Sequence, residues 1–350
     1  MENSIIIIGA SGTVGSAIVR YLNVQQDYKL ILAGRRAAPL EQLKKSLHAD
    51  TAILQIDVAR FNEPDLLKGA SLVIMCVDIP DNRIPKACVE QGIRYMDISA
   101  SRQVLHYLEA TDTLARTHKV PMLFSVGLAP GLTNLLAKRV RDKLPDAPVL
   151  EIYVLLGLGE AHGDQAFQWT FDNLHKTYAI HSDGLDEPVK SFSRPKTTDL
   201  LGKRKFYLFD FVDQHILKQQ KGLHSVSTRL AFDNRFFTRL VGLLRLTGLT
   251  RIYRNKWVQR MMMRLLKKIR LGSDVYGIKV IARNEAGQTE SAFLQGYNEG
   301  AVTAAVAAGM VPLLLESKAT GLLHSHELVT DLPAFFTLLQ QNNSRLITRL

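Results

Sequence analysis

Three glycines near the amino terminus have the spacing of a phosphate-binding turn. Gly9, Gly12 and Gly15 form a GxxGxxG pattern between a run of four isoleucines and a helical stretch. The first glycine permits a sharp turn, the second a close approach to a pyrophosphate, and the third close packing of helix on strand. The phosphates would then lie at the positive end of the helix dipole. We predict that these glycines and the N–H groups of Ser11, Gly12, Thr13 and Val14 hold a dinucleotide; the alternative is a plain βα turn.

The end of the second predicted strand, residues 29–33, indicates which dinucleotide. An NAD enzyme usually has Asp or Glu here to accept from the ribose 2′-hydroxyl. This chain has Gly34, Arg35 and Arg36 instead. A guanidinium can pair with a 2′-phosphate that a carboxylate would repel. NADP (NADPH) is therefore favoured over NAD, and the alternative is a pair of solvated arginines. Asp57 and Val58, after the third strand, would border the adenine.

Hydride transfer to an imine or a carbonyl also needs a proton donor or polarising group. Asp78 follows the fourth predicted strand, and Asp97 and Ser99 lie at the end of the fifth. Each is a candidate for this role, and for each a capping or orienting role is the alternative. His162 and His175 are weaker candidates in the middle of the chain. No residue qualifies as a confident catalytic acid.

Several other chemistries lack their required residues. None of the ten tyrosines has a lysine four positions later, as a Tyr-x-x-x-Lys oxidoreductase needs. Of the two cysteines, Cys76 is predicted inside a strand and Cys88 inside a helix, so neither suits a nucleophile. No CxxC or HxxxH spacing occurs, and we predict no metal site.

Bulk composition indicates a globular protein of two domains. The chain has 350 residues, of which 46% are hydrophobic, enough for a large core. The two cysteines do not form a disulfide framework, and no secretory signal opens the chain, so we expect a cytoplasmic location. The longest uncharged apolar run, residues 300–315, contains Pro312 and is too short to span a bilayer. A buried helix suits it better.

The positive charge is concentrated in one segment. Residues 235–270 contain eleven Lys and Arg and no Asp or Glu, and the rest of the chain has 33 basic and 33 acidic residues. General nucleic-acid binding is therefore not implied. Placed on a helix, residues 255–270 separate an apolar half from a basic half. Such a helix can lie on an anionic membrane or an acidic partner, or it can pack on the core or a twin subunit.

The predicted elements alternate between strand and helix up to about residue 127, and the alternation ends there. This alternation predicts an α/β protein with an N-terminal doubly wound (Rossmann) parallel sheet over residues 1–130. Residues 131–298 are predicted to form a second, α+β domain for substrate binding or dimerisation. Residues 299–350 are predicted to form helices that return to the first domain.

Several motifs together resemble the saccharopine dehydrogenase / saccharopine reductase-like family. They are residues 9–15, Ala33-Gly34-Arg35, residues 95–99, and above all Gly127-Leu128-Ala129-Pro130-Gly131. The resemblance is specific over the first 135 residues and loose over 151–272. It implies an NADP-binding oxidoreductase that acts on carbon–nitrogen bonds of amino-acid-like compounds.

We therefore predict an NADP(H)-dependent oxidoreductase acting on an imine, amine or carbonyl group of an amino-acid-like small molecule. The substrate would meet the nicotinamide between Asp78, Ser99, the 127–134 loop and the middle domain. A homodimer is compatible with this organisation. The alternative is a non-catalytic NADP-binding sensor or scaffold, associated with a membrane surface through residues 235–270.

Overall fold

The computed structural model describes residues 3–25, 27–47, 51–159, 172–174, 176–250, 255, 257–261, 264, 272–342 and 345–350. The chain divides into two compact units. The first consists of Met1–Leu132 and Gly300–Asn343, and the second of Thr133–Glu299 and Ser344–Leu350.

The first unit is built on a seven-stranded parallel sheet. Its order is β15-β6-β5-β4-β1-β2-β3, with strands numbered along the chain. The four consecutive isoleucines are buried, because β1 lies inside the sheet between β4 and β2. The predicted parallel sheet is confirmed. Its strands are β1 (Asn3–Ile8), β2 (Tyr28–Gly34), β3 (Thr51–Gln55), β4 (Leu72–Met75), β5 (Arg94–Asp97), β6 (Pro121–Phe124) and β15 (Gly321–His324).

Helices connect these strands. Two helices, separated at Thr111, connect β5 to β6. The buried Thr111 hydroxyl donates to the Tyr107 carbonyl at 2.8 Å, a local bond that competes with helix continuation. The helices of the amino-terminal part are α1 (Thr13–Gln25), α2 (Ala37–Lys44), α3 (Arg83–Glu90), α4 (Arg102–Glu109) and α5 (Asp112–His118), with 3₁₀ turns at Val58–Arg60 and Pro64–Leu67.

The carboxyl-terminal part of the first unit contributes a helix and the seventh strand. The apolar run forms α9 (Glu299–Glu316), with Val302, Ala305 and Leu314 in the core. Among the described residues this is the one helix long and apolar enough to cross a membrane, and 56% of it is buried inside the protein. Strand β15 then pairs with β6; the sequence analysis did not predict it. The helices α10 (Ser325–Leu328) and α11 (Leu332–Asn342) follow.

The second unit is built on a nine-stranded mixed sheet, ordered β10-β11-β12-β7-β13-β14-β16, with β8 and β9 attached through β12. Only β7 and β12 among its described pairs are parallel. The helices are α6 (Thr133–Lys143), α7 (Val212–Leu217) and α8 (Arg235–Leu246), and α6 packs on β13 and β14. The strands are β7 (Val149–Leu156), β8 (Thr177–Ser182), β9 (Leu185–Lys190), β10 (Ser193–Asp199), β11 (Lys203–Leu208), β12 (Ser225–Phe232), β13 (Val275–Arg283), β14 (Thr289–Tyr297) and β16 (Ile347–Arg349).

Candidate functional site

The glycine turn joins β1 to α1 at the carboxyl edge of the parallel sheet. Gly9 has a φ of +90°, a conformation that an L side chain rarely adopts. Its N–H donates to the Ala33 carbonyl of β2 at 2.8 Å, which ties the turn to the sheet. A Cβ atom at Gly15 would lie 2.3 Å from the Gly9 carbonyl oxygen. Glycine at position 15 is therefore what lets α1 pack this closely on the turn.

The predicted pyrophosphate residues lie at the start of α1. Ser11, Gly12 and Thr13 are exposed and Val14 is half-buried. The first N–H groups of a helix have no partner inside the helix, so those of Ser11, Thr13 and Val14 can serve an anion. The Gly12 N–H, also predicted as a donor, instead donates to the Gly9 carbonyl at 2.9 Å and is not available for the phosphate. A Cβ atom at Gly12 would lie 3.2 Å from the Gly9 carbonyl oxygen, so the turn leaves little room for a side chain there. The residues present fit the pyrophosphate of a dinucleotide.

Arg35 and Arg36 follow β2 directly, and both are exposed. Gln55 on the neighbouring strand β3 donates from Nε2 to the Arg35 carbonyl at 3.0 Å, which holds the backbone there. Within the described ranges, neither guanidinium has an ion pair or a hydrogen bond to the protein. Two unpaired positive charges thus occupy the place where a carboxylate would select NAD. They fit a 2′-phosphate.

Asp57 and Val58 come just after β3, at the same edge of the sheet. Both are half-buried, and the Asp57 carboxylate accepts from the Ala59 N–H at 3.1 Å, capping a 3₁₀ turn. The capping contact fixes the loop that would border an adenine. That adenine contact remains a prediction.

Hydrogen bonds connect the three candidates for the proton-handling role. The Ser99 hydroxyl donates to Asp78 Oδ1 at 2.5 Å, and the Ser99 N–H donates to Asp97 Oδ1 at 2.8 Å. The other oxygen of Asp97 accepts from the Tyr95 hydroxyl at 2.6 Å. Asp97 and Tyr95 are fully buried, whereas Asp78 is exposed. The cluster therefore runs from the core to the carboxyl edge of the sheet, across the ends of β4 and β5.

The environment of Asp97 favours its neutral form. Burial raises the pKa of this carboxyl to about 7, against the hydrogen bonds from Tyr95 and Ser99, which lower it; the charge of Asp78 raises it further. The Ser99 hydroxyl is bonded to Asp78 and not to Asp97. Asp97 therefore positions the buried Ser99 through its backbone, and Ser99 in turn holds the exposed carboxylate of Asp78.

Val77 connects this pair to the glycine turn. A Cβ atom at Gly9 would lie 2.9 Å from Val77 Cγ1, so the residue before Asp78 packs directly on the turn. β1 and β4 are paired neighbours, so their carboxyl ends meet at one place. The predicted cofactor turn and the Asp78–Ser99 pair are thus brought together.

A second polar pair at this edge was missed by the sequence analysis. Ser125 follows β6 and His324 ends β15, and Ser125 Oγ lies 3.0 Å from His324 Nδ1. Burial lowers the pKa of His324 to about 3, and the neighbouring His326 adds to the effect. The ring is therefore neutral near pH 7. The two residues are 199 positions apart, and no local pattern marks either one.

The second unit also contains buried acids that the sequence analysis did not identify. Asp213 Oδ1, at the start of α7, accepts from the Thr228 hydroxyl at 2.8 Å, and burial raises the pKa of Asp213 to about 6. Close by in sequence, His215 Nε2 lies 2.6 Å from Asp210 Oδ1 in a largely buried pair. These groups belong to the polar core of the unit.

The remaining predicted candidates do not add to the site. β4 ends at Met75, so Cys76 lies just after the strand and not inside it as predicted. Burial raises the pKa of both thiols, Cys76 and Cys88, which disfavours a thiolate nucleophile. His162 and His175 lie outside the described residues. The described part of the chain contains no group of three or more His, Cys, Asp or Glu placed to hold a metal.

Comparisons with known proteins agree with this arrangement. Residues 5–121 match the family described as saccharopine dehydrogenase NADP binding domain. Among solved structures, the apo saccharopine dehydrogenase (L-Glu forming) of Saccharomyces cerevisiae matches with a TM-score of 0.71 at 14% identity, over 99% of this chain and 100% of that one.

More distant matches follow. A meso-DAPDH variant from Clostridium tetani has a TM-score of 0.49 at 12% identity over 96% of this chain and 95% of that one. A probable dehydrogenase from Thermotoga maritima has a TM-score of 0.49 at 10% identity, over 99% of this chain and 98% of that one. No curated protein sequence matches significantly. Residues 5–121 therefore match the saccharopine dehydrogenase NADP-binding domain family, and the chain has the fold of the yeast saccharopine dehydrogenase.

Proposed function

We propose that this protein is an NADP(H)-dependent oxidoreductase that acts on an imine, amine or carbonyl group of an amino-acid-like small molecule. The observation that carries the proposal is the packing of Val77 on the glycine turn, which puts Asp78 and Ser99 beside the NADP-binding segment. The S. cerevisiae structure that shares this fold is a saccharopine dehydrogenase (L-Glu forming), which supports a carbon–nitrogen substrate.

The cofactor and the residues of the Asp78–Ser99 cluster would have different roles in such a reaction. NADPH, when bound, supplies the hydride. The protein must supply a proton when the product is an amine or an alcohol. Asp78 is the exposed carboxyl of the pair, and the Ser99 hydroxyl holds it through a 2.5 Å hydrogen bond. Asp78 would take or give the proton, and Asp97 would keep Ser99 in place.

Cofactor selection is the first test. NADPH and NADH are titrated by fluorescence into the wild-type protein, the Arg35→Ala variant and the Arg20→Ala control; Arg20 is an exposed residue of α1. Loss of a charge-assisted hydrogen bond to the 2′-phosphate should weaken NADPH binding roughly 10- to 100-fold. NADH binding and the control should change little. If neither nucleotide bound, the proposed function would fail.

Turnover is the second test. NADPH oxidation is measured with 2-oxo acids in the presence of ammonia or amino acids, and NADP⁺ reduction with amino acids. Asp78→Asn should lower kcat on the order of 100-fold without weakening NADPH binding, because it removes the titrating group. Asp65→Asn, at another exposed aspartate of the same unit, is the control. Equal rates for the two variants would remove Asp78 from the mechanism, and NADPH binding without any turnover would favour the sensor alternative.

A further inference from the structure

Helix α8 exposes a row of large apolar side chains to solvent. Phe236, Leu240 and Leu243 follow one another at the spacing of a single helix face. They are 76%, 38% and 57% exposed, and Leu246 at the end of the helix is 84% exposed. An apolar stripe of this size on a helix surface marks an interaction site.

The opposite face of α8 is attached to the second unit by both polar and apolar contacts. The Thr238 hydroxyl accepts from the Phe232 N–H at 3.0 Å, and Arg245 Nε donates to the Ser191 carbonyl at 2.8 Å. Val241 is also buried there. These contacts fix the helix so that its apolar stripe points to solvent.

Further along the chain, three more large apolar side chains are exposed. Leu249, Trp257 and Met261 are 61%, 63% and 45% exposed. Gln259, between the last two, is buried and donates from Nε2 to Asp172 Oδ1 at 2.9 Å. In residues 257–261 Gln259 packs inward while Trp257 and Met261 face outward.

Charge identifies the kind of surface that would cover these residues. The whole positive excess of the chain lies in residues 235–270, which have eleven basic residues and no acidic one. Arg235, Arg239 and Arg264 are exposed in the same stretch as the apolar side chains. A second copy of this chain would bring like charges together. The surface therefore fits a partner that is negatively charged and accepts apolar side chains.

We propose that α8, Leu249, Trp257 and Met261 form a docking surface for an anionic phospholipid bilayer. Large apolar side chains enter the boundary between headgroups and acyl chains, and the arginines meet lipid phosphates and carboxylates. Exposed Phe, Leu and Trp bordered by arginine is the composition of a helix that lies in this interface.

The test is co-sedimentation of the full-length protein with vesicles. One set contains phosphatidylcholine alone, and the other contains equal parts of phosphatidylcholine and phosphatidylserine. Wild-type protein should sediment with the anionic vesicles, less so at high salt, and stay in solution with the neutral ones. Arg239→Glu with Arg264→Glu should weaken this partitioning by at least about tenfold, since each basic residue near an anionic surface contributes roughly fivefold.

The apolar contribution has its own matched pair of variants. Phe236→Asn with Leu243→Asn should also abolish sedimentation with anionic vesicles. Leu185→Asn with Val24→Asn removes comparable exposed apolar side chains elsewhere, at 74% and 80% exposure, and should bind like wild type. Lys68→Glu with Lys86→Glu is the corresponding charge control in the first unit. Circular dichroism and thermal melting confirm that each variant is folded.

Three results would overturn the proposal. The first is equal sedimentation with both kinds of vesicle, or with neither. The second is anionic-vesicle binding that survives both surface variants. The third is a wild-type dimer in analytical ultracentrifugation that Phe236→Asn with Leu243→Asn converts to monomer, because the surface would then be covered by a second copy.

Discussion

Gly12 and Gly15 are equally spaced in the motif, yet their surroundings give them different roles. A Cβ atom at Gly15 would meet the Gly9 carbonyl oxygen at 2.3 Å, and one at Gly12 would meet it at 3.2 Å. We expect Gly15→Ala to lower the free energy of unfolding by about 1–3 kcal/mol, because α1 must shift. Gly12→Ala, with its longer contact, should lower stability less and weaken NADPH binding.

Urea denaturation and NADPH titration of both variants check this separation. If Gly15→Ala were as stable as wild type, the close approach of α1 to the turn would not constrain the sequence. If Gly12→Ala lost as much stability as Gly15→Ala, the assignment of Gly12 to cofactor binding would be contradicted.

Asp97 gives stability an unusual dependence on pH. Its pKa is raised from 3.8 to about 7 in the folded protein, so the folded state holds a proton that the unfolded chain has lost. The retained proton stabilises the folded state. This stabilisation is fully present below about pH 4 and is lost as the pH rises towards 7. Asp97→Asn cannot ionise. Its stability relative to wild type should therefore rise by roughly 2–4 kcal/mol across that range.

Urea unfolding of both proteins across this pH range measures the effect. Tyr95→Phe is an informative companion, because it removes a hydrogen bond that lowers the Asp97 pKa. In that variant the loss of stability should extend to higher pH. Parallel stability curves for wild type and Asp97→Asn would contradict the raised pKa.

At the scale of elements, burial keeps His324, at the end of β15, in its neutral form. The pKa of His324 is lowered from 6.5 to about 3, so the unfolded state binds the proton more readily. The neutral ring therefore contributes to the stability of the folded state above pH 6.5, and this contribution is lost as the pH falls. The His324→Asn variant keeps a polar side chain that does not titrate. When the pH is lowered to about 5, the free energy of unfolding of this variant should fall by about 2 kcal/mol less than that of wild type.

His118→Asn, at an exposed histidine of α5, is the matched control and should follow wild type. Unfolding by urea at neutral and acidic pH distinguishes the proteins. An identical acid-induced loss in His324→Asn and wild type would show that the ring is not held neutral.

The elements differed in how well the sequence predicted them. The first six parallel strands have short apolar runs followed by helical patterns, and each was predicted. β15 has only four residues and exists because the β6 edge, 200 residues earlier, offers hydrogen bonds. β9 and β10 are largely exposed and contain Pro188 and Pro195 with several charges, a composition that disfavours strands. Pairing of β9 with β8 and of β10 with β11 makes them strands despite this composition.

At the scale of the whole molecule, the first unit is made of two separated stretches of chain. Residues 1–132 lack α9 and β15, which bury Val302, Ala305 and Leu314 and cover the edge of β6. Gly127 is so close to Thr303 that a Cβ atom there would lie 3.1 Å from Thr303 Cγ2. A short Gly/Ser linker from 132 to 300 should therefore give a protein that melts cooperatively and binds NADPH. Residues 1–132 alone should not.

Thermal melting followed by circular dichroism, with NADPH titration, compares the two fragments. A cooperative transition of residues 1–132 alone, at the melting temperature of the linked protein, would show that the carboxyl-terminal stretch is dispensable. Failure of both fragments to fold would contradict the independence of the first unit.

The sequence by itself determined the features that depend on near neighbours along the chain. The isoleucine run, the three glycines and Arg35 with Arg36 lie within 36 residues, so strand, turn, helix start and cofactor charge follow from local spacing. The positive segment is likewise a property of composition.

Tertiary structure decided what depends on residues far apart in the chain. It joined Asp78 to Ser99 and Ser125 to His324, because parallel strands bring their carboxyl ends to one edge whatever their separation in sequence. It also decided that α8 turns Phe236 and Leu243 outward and Thr238 inward, since helix periodicity defines a stripe but not the direction it faces. Burial, which sets the pKa of Asp97 and His324, exists only in the folded chain.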